Sequence, residues 1–246
     1  MDFYILVLLG VVVIFAAGFI QGLTSFGFAL ISMPLLTLFI PLQEAVPIVV
    51  ILSLCTNVYV FISTRRYIQF KKIGLLVVSS LLAAPVGTQL LVYVEPYVLK
   101  LFAGLLIVVF ACLLLMGKTF PIKNERIAFI PVGLTSGLLN GSISMSGPPV
   151  ALFLSNQGAS KETFRANITI YGIILNVITV TAFFYRDLIT QDVMMYTAWF
   201  VPATFIGVII GVKALKKLND KLFRKIALWL IITSGIWTIV SALRIV

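Results

Sequence analysis

Two short segments hold most of the groups in this chain that could do chemistry. The first reads Gly18-Phe-Ile-Gln21-Gly22-Leu-Thr24-Ser25-Phe-Gly27. The second reads Gly137-Leu-Leu-Asn140-Gly141-Ser142-Ile-Ser144-Met-Ser146-Gly147-Pro148-Pro149. Each sets amides, hydroxyls and helix breakers into an apolar surrounding. Ser or Thr ahead of a helix, and Pro in its first turn, are start signals. Thr24 or Ser25 is therefore expected to open one returning helix, and Ser146 with Pro148 the other. A helix N-terminus offers unpaired N–H groups and roughly half a positive charge. Two such ends facing each other would bind an anion without Lys or Arg, which suits a chain with no charged residue in the interior of an apolar run. The competing explanation is packing, because Gly and Ser let membrane helices approach closely.

Asn57 and Asn176 form a second pair of amides, each near the middle of an apolar run. Such an amide must find a partner, and it either ties helices together or lines a pathway. Gln21 and Asn140, beside the breaks, are expected to face a ligand. Thr56, Ser53 and Thr169 read as hydroxyls bonded back onto their own helices. Tyr171 and Trp199 are candidates for a cavity wall, with packing or interfacial anchoring as the alternative. Arg165 stands at the start of the run that carries Asn176. It is explained as a positive-inside residue, with attraction of anions to an inner vestibule as its functional alternative.

Other chemistries are poorly served. There is no histidine, which removes the commonest metal ligand and proton shuttle. The two cysteines, Cys55 and Cys112, sit in apolar runs and read as small buried hydrophobes. No Walker-type loop is present, so direct ATP coupling is not expected. Neither a cofactor nor a metal is called for, and no enzymatic role is expected.

The elements that must position these groups follow from composition. Hydrophobic residues make up 61% of the 246 and charged residues 11%, against about 25% charged in a soluble domain. Mean hydropathy is +1.16. Several runs approach the roughly 20 residues that cross a bilayer as a helix. Long unbroken runs point to a polytopic all-α bundle rather than a barrel. The first run has only Asp2 ahead of it and reads as a retained membrane segment. The net charge of +10 is read as a record of cytoplasmic loops, with no nucleic-acid partner.

Apolar stretches fall near 3–20, 23–40, 46–64, 73–93 and 98–117, then near 127–139, 143–156, 166–185, 193–212 and 222–243. We divide the chain into a first membrane repeat at 1–117, a cytoplasmic link at 118–126 and a second repeat at 127–246. A displacement of 119 brings Gly18, Gln21, Gly22, Ser25 and Asn57 onto Gly137, Asn140, Gly141, Ser144 and Asn176. A displacement of 124 brings Gly87 onto Gly211 and Lys100 onto Arg224. Order and spacing together argue for an internal repeat.

Corresponding loops carry opposite charge. Arg65, Arg66, Lys71 and Lys72 stand against Arg186, Asp187 and Asp192, and Glu44 stands against Lys161 and Arg165. Glu95 and Lys100 stand against the basic run from Lys213 to Lys225. By the positive-inside rule such loops lie on opposite faces, the mark of an inverted-topology repeat. With the basic loops and the link inside, only Lys100, Arg186 and Arg244 of the 18 basic residues fall outside. Both termini are then outside. Each repeat has three full crossings after an opening hairpin that is broken or re-entrant. The arms of the second hairpin, at about 13 residues each, favour re-entry there.

The duplicated array, the Gly-x-x-Gln/Asn-Gly segments and the Ser-x-Ser-Gly-Pro-Pro run resemble the sulfite exporter TauE/SafE family, also called the 4-toluene sulfonate uptake permeases. The resemblance extends over about residues 5–243. It implies a multi-pass protein of a prokaryotic cytoplasmic membrane that moves sulfite, sulfoacetate or related organosulfonates. It also implies that Gly22–Gly27 and Gly141–Pro149 are breaks close to the pore. The expected substrate-binding set is Gln21, Gly22, Thr24, Ser25, Asn57, Asn140, Gly141, Ser144, Ser146, Gly147, Pro148 and Asn176. Export by a secondary carrier is the leading expectation, with a channel-like anion pore or a non-transporting scaffold subunit as alternatives. The expected partners are a small anion and the lipid bilayer, with a homodimer left open.

Overall fold

A computed structural model describes the backbone of residues 3–115, 125–217 and 219–243. Residues 118–124 of the expected link lie outside it, as do the side chains of Lys71, Lys72 and Cys112. The described residues form ten α-helices. The first five are α1 (Phe3–Thr24), α2 (Phe28–Leu36), α3 (Leu42–Thr64), α4 (Phe70–Tyr93) and α5 (Pro96–Leu115). The second five are α6 (Glu125–Ile143), α7 (Gly147–Asn156), α8 (Lys161–Phe184), α9 (Gln191–Leu215) and α10 (Asp220–Leu243).

Among the described residues, five stretches are long and apolar enough to cross a membrane: Phe3–Thr24, Leu42–Tyr67, Ile73–Tyr93, Lys161–Phe184 and Gln191–Leu215. In contrast, α2 has 9 residues and α7 has 10. At about 1.5 Å per residue each reaches only about half of a 30 Å hydrocarbon core. Polarity is arranged for lipid rather than water. Leu8, Val12, Ile62 and Leu82 face outward, whereas Gln21, Asn57, Asn140 and Asn176 are buried. The chain is a multi-pass helical membrane protein.

Helix pairing runs across the two sets of five. α1 packs on α9, α6 on α4, α3 on α8 and α5 on α10. Exchanging the first set for the second turns the α1–α9 pair into α6–α4 and returns the other two pairs to themselves. In the α3–α8 pair, Gly172 abuts the Asn57 amide and Asn176 Nδ2 donates to Ser53 Oγ at 3.3 Å. Shifting each by 119 converts one contact into the other. These two counterpart helices run antiparallel. Phe3 stacks on Tyr196 with centroids 6.1 Å apart, so α1 and α9 begin at one end of the bundle. The Gln69 N–H donates to Asn167 Oδ1 at 2.9 Å, so α4 and α8 begin together as well.

Two boundaries differ from the sequence expectation. The apolar stretch 23–40 is the end of α1, a break, and then α2 starting at Phe28. α6 begins at Glu125, so its arm has 19 residues rather than about 13 and takes in the end of the link. Its polar first turn hides this start from hydropathy.

Candidate functional site

The first break is built by Gln21, Thr24 and Ser25. α1 ends at Thr24, and the Ser25 N–H still donates to the Gln21 carbonyl at 2.7 Å. Ser25 then turns left-handed, with φ +69°, a conformation that costs an L-residue about 1–2 kcal/mol. Thr24 Oγ1 donates to the Ile20 carbonyl at 2.8 Å and accepts the Gly27 N–H at 3.0 Å. Gln21 Oε1 accepts the Phe28 N–H at 2.9 Å. Its Nε2 donates to the Ser25 carbonyl at 3.1 Å and to Asn57 Oδ1 at 2.7 Å. Neither Thr24 nor Ser25 opens α2 as expected: Gly27 holds that place, without a side-chain cap. A glutamine one turn back supplies the missing acceptor instead.

The second break repeats the design. Ser144 has φ +61°, and its N–H donates to the Asn140 carbonyl at 3.0 Å. α7 starts at Gly147, with Ser146 before it and Pro148 in its first turn, but the Ser146 side chain makes no cap bond. Asn140 Nδ2 donates to Asn176 Oδ1 at 3.2 Å and to Thr179 Oγ1 at 2.8 Å. Gln21–Asn57 and Asn140–Asn176 are therefore the same amide–amide pair, each 36 residues apart. The second break is braced by a chain of hydroxyls from neighbouring helices. Tyr171 bonds to Ser80 at 2.7 Å and to Ser136 at 2.6 Å, and Ser136 Oγ donates to the Ser146 carbonyl at 2.6 Å.

Both breaks meet at one cavity between α3 and α8. Of the expected residues, Gln21, Ser25 and Asn57 line it from the first set, and Ser144, Ser146, Gly147 and Asn176 from the second. Ser53 and Tyr171 complete its polar wall. No charged side chain among the described residues lines it. The Ser25 hydroxyl is buried there without a hydrogen-bond partner among the described residues, which costs about 1–3 kcal/mol unless something else accepts or donates. The space open to the centre of a water-sized sphere is about 30 Å³, room for about two waters. An oxyanion requires the walls to part.

The remaining expected residues stand behind this wall. Asn140 supports Asn176, and Thr24 ties the first break. Pro148 shapes the start of α7. Gly22 and Gly141 serve helix contact: a Cβ on Gly22 would lie 2.5 Å from the Val208 carbonyl oxygen, and one on Gly141 would strike that of Ala84. Thr56 bonds back to the Ser53 carbonyl at 2.8 Å. Thr169 Oγ1, contrary to expectation, has no hydrogen-bond partner among the described residues, and Trp199 faces outward.

Sequence reasoning understated Arg165. It is 3% exposed, and its Nη1 donates to the carbonyls of Gly22 at 3.0 Å and Leu23 at 2.9 Å. A cation thus closes the C-terminal, negative end of α1, directly before the break. The position displaced by 119 is Val46, so only one break has this charge. Its place near the start of α8, already explained by sidedness, concealed the role.

Two mirrored breaks thus bring hydroxyl and amide groups to one cavity, and Arg165, bound to the end of α1, stands behind the first of them. No curated protein and no solved structure matches the chain. A family model described as sulfite exporter TauE/SafE matches residues 10–238. The chain belongs to the sulfite exporter TauE/SafE family of membrane anion transporters.

Proposed function

We propose that this chain exports sulfite or a related organosulfonate such as sulfoacetate across a prokaryotic cytoplasmic membrane, as a carrier with one site between its breaks. The observation that carries this reading is the pair of left-handed serines, Ser25 and Ser144, at one cavity, with the Ser25 hydroxyl unpartnered. Sulfonate and sulfite oxygens accept hydrogen bonds. The polar wall supplies hydroxyl and amide donors, and α2 and α7 begin beside it. An inside-negative potential favours exit by about 2.3 kcal/mol per charge per 100 mV. No ion gradient is needed for that direction, so flux follows membrane potential and is indifferent to sodium.

The repeats are read as inverted, with α2 and α7 re-entrant. Antiparallel α3 and α8, their interchangeable contacts, and the shortness of α2 and α7 support this. Alternating access is then a rocking of one set against the other about the α3–α8 contact.

Proteoliposome flux tests the proposal. Labelled sulfite should enter, saturate, and show counterflow against unlabelled sulfite. A current without saturation or counterflow would favour the channel, and neither flux nor current would leave a scaffold. Ser144→Asp, and likewise Ser25→Asp, should fold and transport at background, because the carboxylate occupies the place of the cargo. Normal sulfite flux in Ser144→Asp would move the cargo elsewhere.

A further inference from the structure

We infer that the first break is the gate that closes the central cavity toward the Gln69 end of the bundle, and that Phe164 and Arg165 are its lock. This rests on the reading of the chain as a carrier. The directions of the helices place the gate. α4 and α8 begin at the Gln69 end. α3 and α9 begin together at the opposite end, where Glu44 and Asp192 lie within electrostatic reach of each other. The first break lies toward the Gln69 end, because Gly22 packs on Val208 and Val212 in the last turns of α9. The second lies toward the other end, because Gly141 packs on Ala84 and Thr88 in the half of α4 nearer Tyr93. The cavity lies between them.

Two contacts fasten the first break to the start of α8. Phe26 lines the cavity and meets Phe164 edge-on, with ring centroids 5.9 Å apart. Beside it, Arg165 donates to the Gly22 and Leu23 carbonyls. On α8 both residues stand one turn before Ile168, which lines the cavity. Arg165 shares the helix face of Ile168, Gly172 and Asn176, at spacings of 3, 7 and 11 residues. An anion passing between the cavity and the start of α8 has to part Phe26 from Phe164 and the guanidinium from its carbonyls. Both contacts join the first set of helices to the second, so a rocking of one set against the other breaks them together.

The mirrored gate has no such lock. Displaced by 119, Phe164 and Arg165 fall on Ala45 and Val46, and Phe26 falls on Met145. Ala45 and Val46 are buried near the start of α3. Their methyl and isopropyl groups have nothing to donate to the Gly141 and Ser142 carbonyls, which stand where those of Gly22 and Leu23 do. Hydrogen bonds from a charged group are among the stronger ones, and a contact made on one side only shifts the balance between two conformations. The Gln69 end is therefore the more firmly closed, and the carrier opens more readily at the Phe3 end.

The test reads access to the cavity rather than transport. It uses the full chain in oriented proteoliposomes, with Cys55 and Cys112 replaced by alanine and Ala29→Cys as the reporter, since Ala29 lines the cavity. The probe is a membrane-impermeant methanethiosulfonate bearing a sulfonate group, applied to one face at a time. Arg165→Met should speed modification from the Gln69 face about tenfold, the shift expected from losing one strong buried contact. The rate from the Phe3 face should stay the same or fall. Phe164→Ala should act in the same direction, and Arg165→Lys should lie between Arg165→Met and the parent. Thermal stability falls whether Arg165 is a lock or only a brace, but a brace gives no one-sided change in rate. Unchanged modification from the Gln69 face overturns the gate, and so does an equal rise from both faces. If Arg165→Met does not assemble, Phe164→Ala, with the guanidinium in place, decides between the same outcomes. A parent that moves no labelled sulfite but gives the one-sided response removes sulfite as the cargo and keeps the gate.

Discussion

At the scale of single residues, the site rests on serines held where glycine would be easier. Ser25 and Ser144 both have positive φ, which glycine adopts without strain. Ser25→Gly should therefore leave stability unchanged or raise it by about 1 kcal/mol, while sulfite affinity falls by about the same amount. Ser25→Ala should lose affinity without that gain. Melting curves with and without sulfite separate the two effects, and a Ser25→Gly protein less stable than Ser25→Ala would make the hydroxyl structural. Arg165→Met strips two carbonyls of their donor, and thermal unfolding should report a loss of about 1–3 kcal/mol. The polar residues of the site were legible because they recur at one displacement. Their partners were not. Nothing in the sequence says that Gln21 bonds to Asn57 or that Arg165 reaches back to Gly22, since those contacts need the helices to be brought together.

At the scale of elements, glycines set the distance between helices that the breaks require. Gly18 and Gly22 of α1 meet Gly207 and Gly211 of α9, and Gly137 and Gly141 of α6 meet Ser80, Ala84 and Gly87 of α4. The glycines first considered for ligand contact thus divide: Gly147 lines the cavity, whereas the mirrored Gly22 and Gly141 hold α1 and α6 in place. Gly22→Ala and Gly141→Ala should each destabilise by about 1–3 kcal/mol through overpacking. Gly74 of α4 faces open space, so Gly74→Ala should be neutral or stabilising by up to about 1 kcal/mol. Detergent-phase melting of the three variants checks this, and equal losses at Gly74 and Gly22 would sink the packing argument. Helix number and order were legible from hydropathy. Helix ends at the breaks were not, because Gln21 and Thr24 supply side-chain acceptors from an earlier turn, a device with no local start signal.

At the scale of the molecule, sidedness is where sequence and geometry meet. Charge alone sets the loop after α3 opposite its counterpart after α8. The structure has α4 and α8 beginning together, through Gln69 and Asn167, and α1 beginning beside α9, through Phe3 and Tyr196. Arg65 and Arg66 close α3 at the former end, while Asp192 opens α9 at the latter. By the positive-inside rule, the Gln69 end is expected to be the cytoplasmic one. Single cysteines at Gln69 and Asn219, in a chain with Cys55 and Cys112 replaced by alanine, should react with an impermeant maleimide only from the cytoplasm. Single cysteines at Gln43 and Gln191 should react only from outside. All four native side chains are exposed, so silence at a position from one face reports sidedness rather than burial. Gln191 lies in the second set where Gln69 or its neighbours lie in the first, and the two labels are the sharpest comparison. Labelling of both from the same face would mean that the repeats are parallel. The α3–α8 contact could then no longer act as the axis of an alternating-access motion, and the cavity between the breaks would need another means of opening.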